Sequence, residues 1–137
     1  MRERLQVAVE EFTSPSPICV SETEQVGVIM KLMEEHKCRH MPVISRHDKV
    51  VGIISDRDIY KACCKNTDSC NLSASDLMTR DVFRVKKNEN IDKVVFAMSD
   101  RKISSALVED ETEFFGIFTS TDALNALLEI IRGDLDC

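Results

Sequence analysis

A chain of 137 residues with 43% hydrophobic residues is long enough for one compact module and too short for several independent domains. Its net charge of -6 excludes a general attraction to nucleic acid or to an anionic membrane surface and leaves room only for a local basic pocket. No apolar run approaches the ~20 residues that span a bilayer, and Met1 to Glu10 mix both charges without an apolar stretch, so no secretory leader and a cytoplasmic location are expected.

In chain order, an N-terminal helix ends at Glu10-Glu11-Phe12-Thr13 and is followed by a short strand, Ile18 to Val20. A helix comes next, with Ser21 or Thr23 as its N-cap and Val26, Ile29, Met30 and Met33 as its apolar face. Two strands follow, Arg39 to Ser45 and Val50 to Ser55, joined by the charged turn Arg46-His47-Asp48-Lys49. A second helix runs from about Asp56 to Lys65, and a polar linker then leads to the helical turn Ser73 to Met78. The same order returns: a strand from Val82 to Val85, then a helix capped by Asn88 or Asn90 with Ile91, Val94, Val95 and Met98 on its face. Strands Ser104 to Val108 and Phe114 to Thr119 precede a last helix from Ser120 to Arg132, stopped by Gly133. The fold class is therefore α/β, more narrowly α+β, with a β-α-β-β-α unit occurring twice. Its divisions are residues 1–66, a linker at 67–75, and 76–137.

The duplication is visible residue by residue. An offset of 65 pairs Phe12 with Leu77, Val20 with Val85, Met33 with Met98 and Val43 with Val108, and one deleted residue in the next turn reduces it to 64 at Gly52 and Gly116. Gly52-Ile53-Ile54-Ser55-Asp56-Arg57-Asp58 thus returns as Gly116-Ile117-Phe118-Thr119-Ser120-Thr121-Asp122. Units repeated in this way bury their core against a neighbouring unit, and a half of roughly 60 residues buries too little surface to stand comfortably alone.

The six cysteines have neither the paired spacing of a zinc site nor a disulfide framework, and are read as reduced thiols. His36, Cys38 and His40 have no matching ligands in the second copy, so no metal is assigned. No nucleophile-base pair and no glycine-rich phosphate loop is evident, which argues against an enzyme.

With Arg39-His40-Met41-Pro42-Val43, Asp76-Leu77-Met78-Thr79 and the two glycine heptads in this order, the chain resembles a tandem pair of CBS domains, named after cystathionine β-synthase and also called a Bateman module. The resemblance covers Phe12 to Ile131. It implies two repeats packed with pseudo-twofold symmetry, adenosine-containing ligands in clefts between the repeats, and transmission of occupancy to a partner.

A hydroxyl residue at the mouth of a helix stands beside unpaired N–H groups and the positive end of the helix dipole, which suits a phosphate. An acid three residues on offers two acceptor oxygens to ribose hydroxyls. By resemblance Ser55 and Thr119 face the phosphate, Asp58 and Asp122 the ribose, and Pro17, Ile18, Val82 and Phe83 the base, with Thr79 beside them. Arg39, His40 and Arg57 add positive charge in the first copy. Ser104, Ser105 and Thr121 stand in their places in the second, so the two sites are expected to differ in affinity or ligand. A hydroxyl followed by an acid at this spacing is also an ordinary capping box, with no ligand required.

The resulting reading is a free-standing regulatory module and homodimer. Its effector is AMP, ADP, ATP, NAD or S-adenosylmethionine, it holds no cofactor, and it signals to an unidentified effector protein. The alternative is a scaffold or dimerisation module with empty clefts.

Overall fold

Hydrophobic periodicity is realised as secondary structure in the order it dictates. The computed structural model describes residues 6–15, 17–65 and 71–133. A 3-10 turn (Val9–Phe12) and β1 (Ser14–Pro15) come first, followed by β2 (Val20–Ser21), α1 (Val26–His36), β3 (His40–Ile44), β4 (Val50–Ser55) and α2 (Asp56–Lys65). The second copy comprises α3 (Ala74–Leu77), β5 (Arg84–Lys86), α4 (Ile91–Arg101), β6 (Ser105–Asp110), β7 (Glu113–Thr119) and α5 (Ser120–Arg132). Of the linker expected at 67–75, residues 67–70 lie outside the described residues.

The result is a mixed α+β fold with two sheets, ordered β2-β3-β4 and β1-β7-β6-β5. In each, the short first strand of the repeat runs parallel to the second, which pairs antiparallel with the third. The central strands β3 and β6 bury continuous apolar triplets, Met41-Pro42-Val43 and Ala106-Leu107-Val108. Each is worth several kcal/mol of burial, at ~1.5–3 kcal/mol per large apolar side chain. Both antiparallel pairs carry an irregularity at the same place, Val43/Ile44 and Val108/Glu109.

The first strands start later than alternation predicts, at Val20 rather than Ile18 and at Arg84 rather than Val82. A proline explains why β2 is also the shorter of the two. In the second copy the Leu107 N–H donates to the Phe83 carbonyl at 2.8 Å; Pro42 occupies the matching position and has no N–H to give to Ile18.

Helices α1 and α4 bury Val26, Ile29 and Met33, and Ile91, Val94 and Met98. Met30 and Val95, expected on those faces, are turned outward at 36% and 38% exposure. The predicted side-chain caps are also replaced. Gln25, not Ser21 or Thr23, is the N-cap of α1, and Asn90 caps α4 without a side-chain hydrogen bond. Main chain from a distant segment does the work instead: the Val26 N–H donates to Leu72 O at 2.9 Å and the Ile91 N–H to Val7 O at 2.8 Å. Both helices end on a left-handed lysine, Lys37 (φ 52°) and Lys102 (φ 56°).

Those distant segments define how the chain divides. One compact unit is Pro17–Val82; the other joins the described residues up to Pro15 to the chain from Phe83 onward. The segment leading into each repeat therefore belongs to the unit of the other repeat. Val7 and Val9 enter the core of Phe118, Val94 and Val108, whereas Ala74 and Met78 enter that of Ile54, Ile29 and Val43. The 3-10 turn Val9–Phe12 and α3 Ala74–Leu77 match at the offset of 65. The N-terminal helix expected before Thr13 is only this single turn among the described residues.

Candidate functional site

The repeated glycines explain how the leading segments reach the sheets. β1 pairs Ser14 with Ile117 and Pro15 with Gly116, and Thr79 bridges to Ile53 through hydrogen bonds of 2.9 and 3.0 Å. A Cβ on Gly52 would meet Met78 Sδ at 2.7 Å, and one on Gly116 would collide with the Ser14 carbonyl oxygen and stand 2.9 Å from Thr13 Cγ2. Only glycine admits a neighbouring backbone this close. Thr79 is thereby placed beside β4, two residues before Ser55.

At the end of β4 the chain turns directly into α2. His40 is the register partner of Ser55, and the Asp56 N–H donates to Arg39 O at 3.0 Å. Reciprocal bonds close the first turn: the Ser55 N–H donates to Asp58 Oδ2 at 2.9 Å and the Asp58 N–H to Ser55 Oγ at 3.2 Å. Arg39, whose side chain is 82% exposed, pairs with Asp56 at 3.9 Å. An exposed pair of this kind is worth little and leaves the guanidinium able to turn to another anion. Arg57 is exposed, whereas Ser55 and Asp58 are half-buried.

The second copy reproduces the frame with different side chains. Ser105 pairs with Thr119, and the Ser120 N–H donates to Ser104 O at 3.0 Å. The Thr119 N–H and hydroxyl donate to Asp122 Oδ2 at 2.8 and 3.1 Å, completing a capping box. Phe83 lies under the Arg101 guanidinium at 4.7 Å, an aromatic-cation contact that the sequence does not announce.

The predicted residues fall into two sets. Pro17, Ile18, Arg39, His40, Ser55, Arg57, Asp58, Thr79 and Val82 belong to the unit Pro17–Val82; Phe83, Thr119 and Asp122 belong to the other. Within the first set, Ser55 and Asp58 are bonded, His40 is in register with Ser55, and Thr79 flanks the strand that carries Ser55. Pro17 accepts a 3.4 Å hydrogen bond from the Cys19 thiol, and Ile18 presents its side chain outward at 38% exposure. Asp56, which sequence reasoning gave no role, is the partner of Arg39.

The capping-box geometry also satisfies backbone donors that a ligand could otherwise use. In α2 the N–H groups of Asp56 and Asp58 already have partners, as do those of Ser120 and Asp122 in α5. Each carboxylate retains acceptor capacity, since it takes up to about four hydrogen bonds.

A cavity of about 510 Å³ opens between α1 and α2, lined among others by Met30, Met33, Cys38, Asp56, Ile59 and Tyr60. None of the predicted site residues lines it. Burial raises the Cys38 thiol pKa, and that of Cys19 likewise, so neither is an activated nucleophile. No cluster of three or more metal-ligating side chains occurs among the described residues, and no helix among them is long and apolar enough to cross a membrane.

Two βαββα repeats with hydroxyl and acid at matching helix mouths define a duplicated domain pair. The CBS domain profile matches residues 9–65 and 74–129, and the chain belongs to that family. It is 32% identical over 115 residues to L-aspartate semialdehyde sulfurtransferase of Methanocaldococcus jannaschii, a match that spans 83% of this chain and 22% of that enzyme. The chain thus spans about a fifth of that relative's length. Among solved structures, a CBS-domain containing protein, ATU1752 from Agrobacterium tumefaciens, superposes with a TM-score of 0.83 at 22% identity, covering 93% of this chain and 98% of that one. The CBS domain pair of protein MJ0100, solved in complex with 5-methylthioadenosine and S-adenosyl-L-methionine, superposes with a TM-score of 0.78 at 29% identity, covering 90% and 97%.

Proposed function

We propose that this chain is an effector-binding module that holds an adenosine-containing ligand at the helix mouths of its repeats and passes the occupancy to a partner protein. The observation that carries the reading is the double occurrence of one frame within a CBS pair: a hydroxyl at the end of the third strand, an acid three residues on, and a basic or hydroxyl residue opposite. Asp58 and Asp122 accept the ribose hydroxyls with the acceptor capacity that capping leaves free. Ser55, with Arg39, His40 and Arg57, faces the phosphate in the first copy, and Thr119 takes the corresponding place in the second. Pro17, Ile18, Val82 and Phe83 flank the base, and Thr79 supports the strand that carries Ser55. The adenosine ligands of the MJ0100 pair support the ligand class.

Two copies assemble through apolar helix faces. Leu124, Leu127, Leu128 and Ile131 form a stripe at helical spacing along α5, and all are exposed. Monomers rarely leave a contiguous apolar surface of this kind uncovered.

Thermal melts with ATP, ADP, AMP, NAD and S-adenosylmethionine test the binding reading. A ligand at ~100 times its dissociation constant adds about 2.7 kcal/mol, a shift on the order of 10 °C for a chain of this size. No shift with any of them favours the second reading, a scaffold with empty sites. The observation behind that alternative is that both hydroxyl-acid pairs already close as capping boxes without a ligand. A monomeric mass by light scattering at tens of micromolar would remove the dimer.

A further inference from the structure

We propose that a second copy of this chain docks the surface of its α4 and α5 into the hollow between α1 and α2, so that copies pair through unlike repeats. This rests on the dimer reading above and names the two faces that meet.

The repeat makes the two faces equivalent in position and opposite in shape. Residues lining the hollow include Gly27, Met30, Lys31 and Tyr60. At the offsets of 65 and 64, Asp92, Val95, Phe96 and Leu124 stand in their places. Gly27 leaves room in the first repeat, since nothing lies within 4 Å of the Cβ it lacks. Phe96, in the place of Lys31, is 72% exposed, and Leu124, in the place of Tyr60, is 60% exposed. One repeat thus offers a socket where the other offers an aromatic projection.

Pairing of like repeats leaves both features unused. Phe96 would meet its own copy, and the hollow of about 510 Å³ would receive no projecting aromatic, so its lining would forgo packing contacts. Pairing of unlike repeats seats an exposed aromatic in a hollow walled by Met30, Met33 and Ile59. Aromatic side chains buried in such pockets dominate the energy of protein interfaces.

Charge favours the same choice. Every exposed charged residue of α2 is basic: Arg57, Lys61 and Lys65. The acids of that helix are half-buried, Asp56 beside Arg39 and Asp58 in the cap. Setting α2 against its own copy would bring these cations against their like, which costs free energy. On α5 the exposed charge is Arg132, at the last residue, and the rest of the exposed surface is the apolar stripe of Leu124, Leu127, Leu128 and Ile131 with Ile130 and small polar side chains. Such a stripe can cover the aliphatic stems of Lys61 and Lys65 while their ammonium groups stay in water.

Two copies paired in this way satisfy each other twice about a twofold axis, and a mixing experiment tests the arrangement. Gly27→Leu fills the hollow, and Phe96→Ser removes the projection. Open space at one position and exposure at the other leave the fold intact, which circular dichroism verifies. In sedimentation of the full chain, each variant alone is expected to raise the dimer dissociation constant about a hundredfold, since each spoils both contacts. An equimolar mixture is expected to recover association to a level between the variants and the parent, because the projection of the Gly27→Leu chain meets the hollow of the Phe96→Ser chain. Pairing of like repeats would leave no intact contact in that mixture. A dimer that Gly27→Leu leaves unchanged, or a mixture that associates no better than either variant, overturns the unlike pairing while the dimer reading stands. A parent chain that is monomeric at tens of micromolar overturns both.

Discussion

Gly52 and Thr79 approach so closely that a Cβ on the glycine would stand 2.8 Å from the Thr79 carbonyl oxygen. The contact is made by main chain on the far side, which cannot rotate away, so any side chain at position 52 must push the strand-like segment off the edge of β4. Gly52→Ala and Gly116→Ala are each expected to cost about 1–3 kcal/mol, the usual penalty of overpacking. Gly27 is the internal control: nothing lies within 4 Å of the Cβ it lacks, and Gly27→Ala in α1 is expected to gain about 0.5–1 kcal/mol. Urea denaturation of the three variants checks the contrast, and equal effects at positions 27 and 52 would contradict it.

The left-handed lysines at the ends of α1 and α4 predict a second pair of effects. A non-glycine residue in this conformation carries about 1–2 kcal/mol of strain. Part of its relief on substitution by glycine is offset by the greater freedom of the unfolded chain. Lys37→Gly and Lys102→Gly are thus expected to be neutral or stabilising by up to about 1 kcal/mol, and Lys37→Val to be clearly destabilising. Thermal midpoints of the three proteins decide the matter.

Asp58 and Asp122 hold their helices whether or not a ligand is present. Asp58→Ala and Asp122→Ala are expected to lower stability by about 0.5–2 kcal/mol without ligand, the range for loss of an N-terminal cap. Ligand-induced shifts must therefore be measured from each variant's own baseline. A variant as stable as the parent would show that the capping bonds contribute nothing.

The capping box of α3 predicts a pH effect with a definite sign. Hydrogen bonds from the backbone and hydroxyl of Ser73 lower the pKa of Asp76 below its ordinary value of 3.8. A depressed folded-state pKa stabilises the protein above the unfolded value, and the contribution is lost as the pH falls through the folded one. The stability difference between parent and Asp76→Asn is expected to be constant near neutrality and to shrink only below about pH 4. A difference that persists unchanged in acid would rule out the carboxylate as its source.

Local pattern carried much of this architecture. Alternation and helical spacing located the helices and the long strands, and the offset that pairs Met33 with Met98 also pairs their burial. The glycine heptads marked the strand ends and the residues that meet at the helix mouths. Strand starts were less legible because they depend on a partner strand. Pro42 withholds a donor that Leu107 supplies, and the first strands follow that difference rather than their own composition. The cap of α1 was misplaced, and Asn90 caps α4 without the expected side-chain bond, for a similar reason: the first helix donors bond to Leu72 and Val7, far away in the chain.

By itself the sequence determined the repeat, its element order and the hydroxyl-acid pairs, because periodicity and short-range capping are properties of neighbouring residues. Only the tertiary structure decided that each leading segment joins the core of the other repeat. A free sheet edge has unpaired backbone groups that must find a partner, and many segments offer the same donors and acceptors. Which one arrives depends on the room left by Gly52 and Gly116 and on where Val9, Ala74 and Met78 can be buried. Both conditions are set by residues distant in the chain and close in space.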